Sequence, residues 1–248
     1  MKAVLLVGGL GTRLRTVLPS TPKALASVGA RPFLELLVCQ LALQGITHLV
    51  ICTGHLAKQI EDAFGDGQEL GVSIEYSREF TPLGTAGALK LAAPLVDEES
   101  EFLVLNGDSF VEVDFHELID FHHQKSGIAT IAAIPIDNAA RYGSLKLAPD
   151  GRVSGFLEKT GHEGPGTINA GVYLFKSEVL DEIPDGPSSL ERDVIPKLLD
   201  RGVFAFEKHG TFIDIGTPDD YARANSISER LSALAHGRKI VSITGKVK

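Results

Sequence analysis

The sequence predicts an α/β fold, a mixed and mainly parallel sheet flanked by helices, with a small antiparallel part in its second half. Three observations carry this. Short, almost continuously apolar segments of strand length alternate with segments of helix length through residues 1–105, the pattern of strands buried on both faces of a parallel sheet. From residue 127 onward the segments shorten and one pair flanks Asp150-Gly151, a hairpin signal. The first strand also runs directly into a glycine-rich turn, Gly8-Gly9-Leu10-Gly11.

The elements follow in order. Ala3–Val7 is an apolar strand, and Pro32–Gln44 has helical periodicity, opens on a proline suited to a first turn and stops at Gly45. His48–Thr53 is an apolar, β-branched strand, and Leu56–Phe64 is an amphipathic helix closed by Gly65. Ser73–Ser77 reads as a strand, Thr85–Leu95 as a helix and Glu101–Leu105 as a buried strand. Then come a strand over Gly127–Pro135, the hairpin pair Ser144–Leu147 and Val153–Glu158, and a strand over Ala170–Phe175. Leu190–Leu199 reads as a helix, Phe204–Phe206 as a strand, and Thr217-Pro218-Asp219-Asp220 as a helix start, with a capping hydroxyl, a proline and first-turn carboxylates. The antiparallel part is expected to lie over the parallel core. No Pro-, Gly- or Ser-rich linker divides the chain, so residues 1–232 are expected to form one domain, with 233–248 as a basic, alternating tail or arm.

Composition narrows the function. A chain of 248 residues with 44% hydrophobic residues can bury a sizeable core, and a net charge of −8 argues against a general nucleic-acid binder. No apolar run approaches the roughly 20 residues of a membrane span, and Met1–Val7 is too short for a signal peptide. Cys39 and Cys52 lie in apolar segments outside any CxxC, which reads as two reduced thiols and a cytoplasmic protein.

Four stretches carry chemistry. In "LLVGGLGTRLRTVLPSTPKAL" the glycines let backbone N–H groups turn toward a phosphate, and Arg13 and Lys23 supply local positive charge. Taken alone, a GGxG is a turn with surface cations. The dinucleotide fingerprint fits poorly, because Leu14 stands where a small residue is needed, and a P-loop is excluded for want of Gly-Lys-Ser/Thr. Asp108, in "LVLNGDS", and Asp214, in "FIDIGT", both end apolar strands, where ligands gather in open α/β sheets. Two carboxylates with substrate phosphates are the donor set that Mg²⁺ takes, although "NGD" alone is an ordinary turn. "PLGTAGAL" opens a helix whose N-terminus can face a nucleotide, with Gly84 and Gly87 permitting close approach and Thr85 suited to capping. His116, His122 and His123 lack the spacing of a helical metal pair and read as a polar helix face, and Asp219 and Asp220 as helix-start carboxylates.

"GGLGTRL", with "PK" ten residues after Arg13, resembles the sugar-1-phosphate nucleotidyltransferases, and the resemblance covers nearly the whole chain. It implies a Rossmann-like nucleotide-diphospho-sugar transferase fold whose antiparallel part binds the sugar. The glycine loop (Gly8, Gly9, Gly11, Thr12) would wrap a triphosphate, Arg13 would draw charge from the leaving end and Lys23 would contact the phosphates being joined. Gly84, Thr85 and Gly87 would flank the base, and Asp108 and Asp214 would be the family's two Mg²⁺ ligands. On the sugar side the matches are Gly143 in "YG", Glu158-Lys159 in "EK", and Asn169 in "NAGVY". "PLGTAGAL", "RPFLELL" and the absence of a β-helix repeat look most like the guanylyltransferases, heptose 1-phosphate first and mannose 1-phosphate second. Uridylyl or thymidylyl transfer and a catalytically silent nucleotide-sugar sensor are the alternatives. The substrates implied are a nucleoside triphosphate and a sugar 1-phosphate, with no nucleic acid and no membrane. Family members are often oligomeric, which allows a homo-oligomer. The reaction implied is in-line displacement at the α-phosphorus by an anionic nucleophile, needing no general base.

Overall fold

A computed structural model describes residues 1–14, 16–96, 98–157 and 163–237. Its centre is a nine-stranded mixed sheet. The parallel portion is built from β1 (Lys2–Leu6), β4 (His48–Thr53), β5 (Ser73–Arg78) and β6 (Glu101–Asn106), with β1 between β4 and β6 and β5 outside β4. Two short strands, β2 (Ser27–Val28) and β3 (Arg31–Pro32), form a separate ribbon before the first helix. The long strand β11 (Gly166–Lys176) runs antiparallel to β6 and continues the sheet toward β8 (Ala129–Ile136), β9 (Ser144–Leu147) and β10 (Val153–Leu157), while β12 (Val203–Glu207) adds in parallel to β8. The antiparallel strands therefore extend the parallel sheet edge to edge. They do not lie over it as the sequence suggested, because β11 takes its hydrogen bonds directly from the free edge of β6.

Alternating side chains explain why this sheet is covered on both faces. Along β1 and β6, Ala3, Leu5, Leu103 and Leu105 join one apolar cluster, and Val4, Phe102 and Val104 the other. The first cluster packs under α1 (Phe33–Leu43), and α2 (Ala57–Phe64) contributes Ile60 and Phe64 to it. The second packs under α3 (Gly84–Ala92) and the helical segment 190–201, in which a π-helical turn over Leu190–Val194 leads into α5 (Ile195–Leu198). The uninterrupted helix expected over 190–199 is thus broken into a wider first turn.

α4 (Phe115–Lys125) is capped by Asp114, whose carboxylate accepts from the His116 and Glu117 N–H groups. His122 does not sit on a polar face: it is buried on this helix with Nδ1 2.8 Å from Thr130 Oγ1, and burial holds its pKa below the ordinary value. α6 (Pro218–Ser226) is capped by Thr217, and α7 (Ser228–Ala235) follows at once. The boundary expected at residue 232 falls inside α7, and residues 238–248 lie outside the described residues. No helix among the described residues is long and apolar enough to cross a membrane.

One further ribbon positions the site. β7 (Ser109–Val111) pairs antiparallel with β13 (Phe212–Asp214), placing Asp214 opposite Ser109. Buried Gln40 on α1 donates to Val111 O at 2.8 Å, and Gln44 donates to Val113 O, tying the ribbon to the helical layer. Glu112 clamps its other end: Thr211 donates to Glu112 Oε2 from N at 3.0 Å and from Oγ1 at 2.8 Å.

Candidate active site

Two contiguous clefts open at the C-terminal ends of β1 and β6. The first, about 360 Å³, is lined by Gly8, Gly9, Gly11, Thr12, Arg13, Lys23, Glu79, Gly84, Thr85, Asn106 and Asp108 among others. The second, about 260 Å³, is lined by Arg141, Tyr142, Gly143, Asn169, Glu191 and Asp214, and shares Arg13, Thr85, Asn106 and Asp108 with the first. The shared residues form the seam. Asn106 Oδ1 is buried there without a hydrogen-bond partner among the described residues.

The glycine loop leaves β1 and turns at Gly11, whose φ of +57° favours glycine. Arg13 follows on a single 3₁₀ turn, exposed at the seam. Gly8 is small for a packing reason as well, since a Cβ there would lie 2.6 Å from Glu79 Oε1. A Cβ on neighbouring Gly54 would likewise lie 2.7 Å from that oxygen. Glu79 thus rests against the adjacent Gly8 and Gly54 and lines the cleft, with Oε2 accepting from Leu83 N at 3.0 Å. Burial raises its pKa, and the Leu83 hydrogen bond partly opposes this. Sequence reasoning missed Glu79, because nothing local in "SREFTP" marks it as cleft-lining.

At the seam, Lys23 Nζ lies 2.6 Å from Asp108 Oδ2, with the lysine side chain only 13% exposed. Ser109 Oγ sits 3.3 Å from both Asp108 Oδ1 and Asp214 Oδ2, so the β7–β13 ribbon brings together two carboxylates 106 positions apart. Asp214 also accepts a short hydrogen bond from Gly216 N. Burial first, and then the negative charge of Asp108, raise its pKa, with Lys23 opposing. Two hard carboxylates that repel each other beside one lysine are a donor set suited to a divalent cation, so the residues present fit the metal. Asp220 is not just a helix-start carboxylate: it is buried and paired with Arg141 and Arg223.

The second cleft is organised by side chains. Asn169 is fixed at both ends of its amide: Oδ1 accepts from Gly171 N at 3.0 Å, and Nδ2 donates to Tyr173 Oη at 2.7 Å. A register shift in β11 between Asn169 and Tyr173, with Gly171 at φ +75°, makes that contact along one strand. Gly143 accepts from Asn169 N through its carbonyl at 2.9 Å and lines the second cleft. Glu191, also unanticipated from sequence, accepts from Tyr173, Thr85 and Ser189. Glu158 and Lys159 lie outside the described residues.

The base-side glycines are confined by packing, although Gly84 also lines the first cleft. A Cβ on Gly84 (φ +73°) would meet Ser188 O at 2.5 Å, and one on Gly87 would meet Gly186 O at 2.7 Å. Gly87 does not line the cleft. The first N–H groups of α3 are also in use, with Ala86 N donating to Ser188 O at 3.0 Å. Smallness here serves close packing of α3 on the 186–189 loop, and Thr85 spends its hydroxyl on Glu191 instead of capping.

A glycine loop, paired carboxylates and a lysine at the strand ends of a mixed α/β sheet define a phosphate-handling transferase site. Residues 2–230 match the nucleotidyl transferase family, and the chain belongs to it. Members of this family generally use a divalent metal. The chain is 38% identical over 226 residues to D-glycero-alpha-D-manno-heptose 1-phosphate guanylyltransferase from Aneurinibacillus thermoaerophilus, covering 90% of this chain and 96% of that protein. It is 37% identical over 252 residues to the mannose-1-phosphate guanyltransferase of Kluyveromyces lactis. That match covers 97% of this chain and 70% of the relative, and across the mannose 1-phosphate relatives the chain spans 62–70% of their length. The crystal structure of HddC from Yersinia pseudotuberculosis superimposes with a TM-score of 0.82 at 34% identity, covering 91% of this chain and 98% of that one. The same protein has been solved with GMP-PN.

Proposed function

We propose that this chain transfers a guanylyl group from GTP to a sugar 1-phosphate of manno configuration, heptose 1-phosphate first and mannose 1-phosphate second, releasing pyrophosphate. The observation that carries the reading is the constellation of Lys23, Asp108 and Asp214 at the mouth of the glycine loop. Glu79 supports the base. Of the common nucleobases, guanine alone offers two adjacent donors, N1–H and N2–H₂, to a carboxylate edge. Adenine and cytosine would set an acceptor against it, and uracil or thymine a pair of carbonyls. The Aneurinibacillus relative supports the heptose, and the Yersinia structure with GMP-PN supports a guanine nucleotide.

In this reading the nucleophile, a phosphate oxygen, is already anionic, and the protein's task is positioning and charge neutralisation. The amides of the 8–11 loop and Arg13 hold the triphosphate and take up charge developing on the leaving pyrophosphate. Lys23 exchanges Asp108 for the α-phosphate region. Asp108 and Asp214 would hold Mg²⁺, which when bound supplies Lewis-acid neutralisation of the phosphate oxygens. Asn169 and the Gly143 backbone would orient the sugar, with Glu158 and Lys159 as further contacts. Residues 1–237 act as one unit, and the free thiols Cys39 and Cys52 support a reducing, cytoplasmic setting.

The test is pyrophosphate release with Mg²⁺, pairing GTP, ATP, UTP, CTP and dTTP with heptose, mannose and glucose 1-phosphates. Release with GTP and a manno-configured sugar phosphate is expected. Release confined to another base overturns the Glu79 argument, and binding of nucleotide without release from any pair overturns the enzyme reading.

A further inference from the structure

Tyr173 is fully buried in the sheet, stacked on Phe175 with ring centroids 5.4 Å apart. A phenol so placed needs a partner for its hydroxyl. Its oxygen receives the Asn169 Nδ2 donor at 2.7 Å and its proton points to Glu191 Oε1 at 3.1 Å. Asn169 Oδ1 is already engaged by Gly171 N, so the amide has one orientation compatible with both contacts. On the other side of the carboxylate, Glu191 Oε2 accepts from Thr85 Oγ1 at 2.9 Å and Ser189 Oγ at 2.7 Å. The Thr85 hydroxyl is in turn held by the donor Leu190 N at 2.8 Å. Every hydroxyl in this set points its proton at Glu191, and Thr85 stands in both clefts while Asn169 stands in the second.

We propose that Glu191 is a positioning residue shared by the two halves of the site, its carboxylate being the common acceptor that fixes Asn169 through Tyr173 on one side and Thr85 on the other. The proposal rests on the functional reading above for the names of the two substrates, but not for the network itself. A glutamine cannot replace this acceptor. Its amide offers one oxygen and one NH₂, so either Tyr173, or Thr85 with Ser189, meets a donor instead of an acceptor, and the hydroxyls must turn.

Three variants test it. Glu191→Gln is expected to raise KM for the sugar phosphate and for the nucleoside triphosphate together, each by roughly tenfold or more, with a smaller change in kcat. Tyr173→Phe is expected to raise only the sugar-phosphate KM. Thr85→Val is expected to raise the nucleotide KM and leave the sugar-phosphate KM within about twofold. The orientation of Asn169 is read independently in the substrate-free protein from its side-chain amide NMR signals. Slow hydrogen exchange in the wild type, lost in both Glu191→Gln and Tyr173→Phe, supports the network whether or not any substrate pair turns over. KM values within twofold of wild type and an unchanged Asn169 amide in Glu191→Gln overturn the proposal. If Glu191→Gln fails to fold, Tyr173→Phe decides: an unchanged Asn169 amide there overturns it equally.

Discussion

The two halves of the site are built from different materials. The glycine-loop half is made of backbone: residues 8–13 are contiguous, leave the end of one buried strand and offer amides where side chains would obstruct. The Asn169 half is made of side chains drawn from residues 85, 169, 173, 189 and 191, each useful only because of the next. A site built from backbone writes itself into sequence as glycine. A site built from a hydrogen-bond relay does not, because any of its members alone is an ordinary polar residue.

The sharpest break between the halves should come at the seam. Asp214→Asn is expected to lower turnover on the order of a thousand-fold through loss of a metal ligand, yet to raise Tm in the presence of chelator. The sign follows from its raised pKa. An acid whose folded pKa lies above its unfolded value contributes most to stability below the unfolded pKa and loses that contribution as pH rises through the folded one, so at neutral pH the burial of Asp214 beside Asp108 costs stability. A lower Tm in the asparagine variant would count against the repulsion described here. Arg13→Ala should lower turnover by hundreds-fold, about 3–4 kcal/mol, with an unchanged melting curve, since the residue is exposed. Normal turnover in that variant would remove Arg13 from the mechanism.

Glu79→Gln should act on selectivity: the preference for GTP over other triphosphates is expected to fall by about 10–100-fold, matching the 1–3 kcal/mol of a paired base contact. An unchanged preference would show that the base is read elsewhere. Gly84→Ala sharpens the comparison from the stability side. Its φ of +73° and the Ser188 carbonyl predict a loss of about 1–3 kcal/mol, or roughly 2–4 °C of Tm for each kcal/mol, visible without any substrate. A change in nucleotide KM with full stability would return Gly84 to base recognition.

The smallest effect concerns Glu112. Burial works to raise its pKa, but the hydrogen bonds from Thr211 and the nearby Arg230 outweigh it, so the group lies below the ordinary carboxylate range. Its contribution is present above the unfolded pKa and lost as pH falls through the folded one. Glu112→Gln should therefore lower stability at neutral pH and flatten the acid limb, its difference from the wild type narrowing as pH falls through the folded pKa. An identical acid limb would mean that the clamp contributes nothing.

Much of the fold was legible because its strands are buried on both faces and its helices are punctuated by Gly45, Gly65 and Thr217. His48–Thr53 and Ser144–Leu147 fall where their composition places them. What escaped was tertiary. Nothing in residues 190–199 announces a π-helical turn, whose wider winding brings Glu191 to Tyr173. His122 has the same polar identity as its neighbour His123, but the fold buries the first against Thr130 on β8 and leaves the second exposed beside Glu101. Gly87 looked like a ligand-facing glycine because α3 begins at the cleft, whereas the obstacle it avoids is a carbonyl from residue 186.

The β7–β13 ribbon has a consequence for how the chain tolerates change in length. Its ladder is three residue pairs long, held at one end by Glu112 and Thr211, and it hangs outside the nine-stranded sheet. A slip of one residue would leave every large strand paired and still swing Asp214 to the opposite face. The Lys208–Thr211 connection is thus a spacer of fixed gauge. Exposed loops of this kind ordinarily accept insertions and deletions with little penalty, but here one residue more or less would preserve a folded protein and uncouple its two carboxylates.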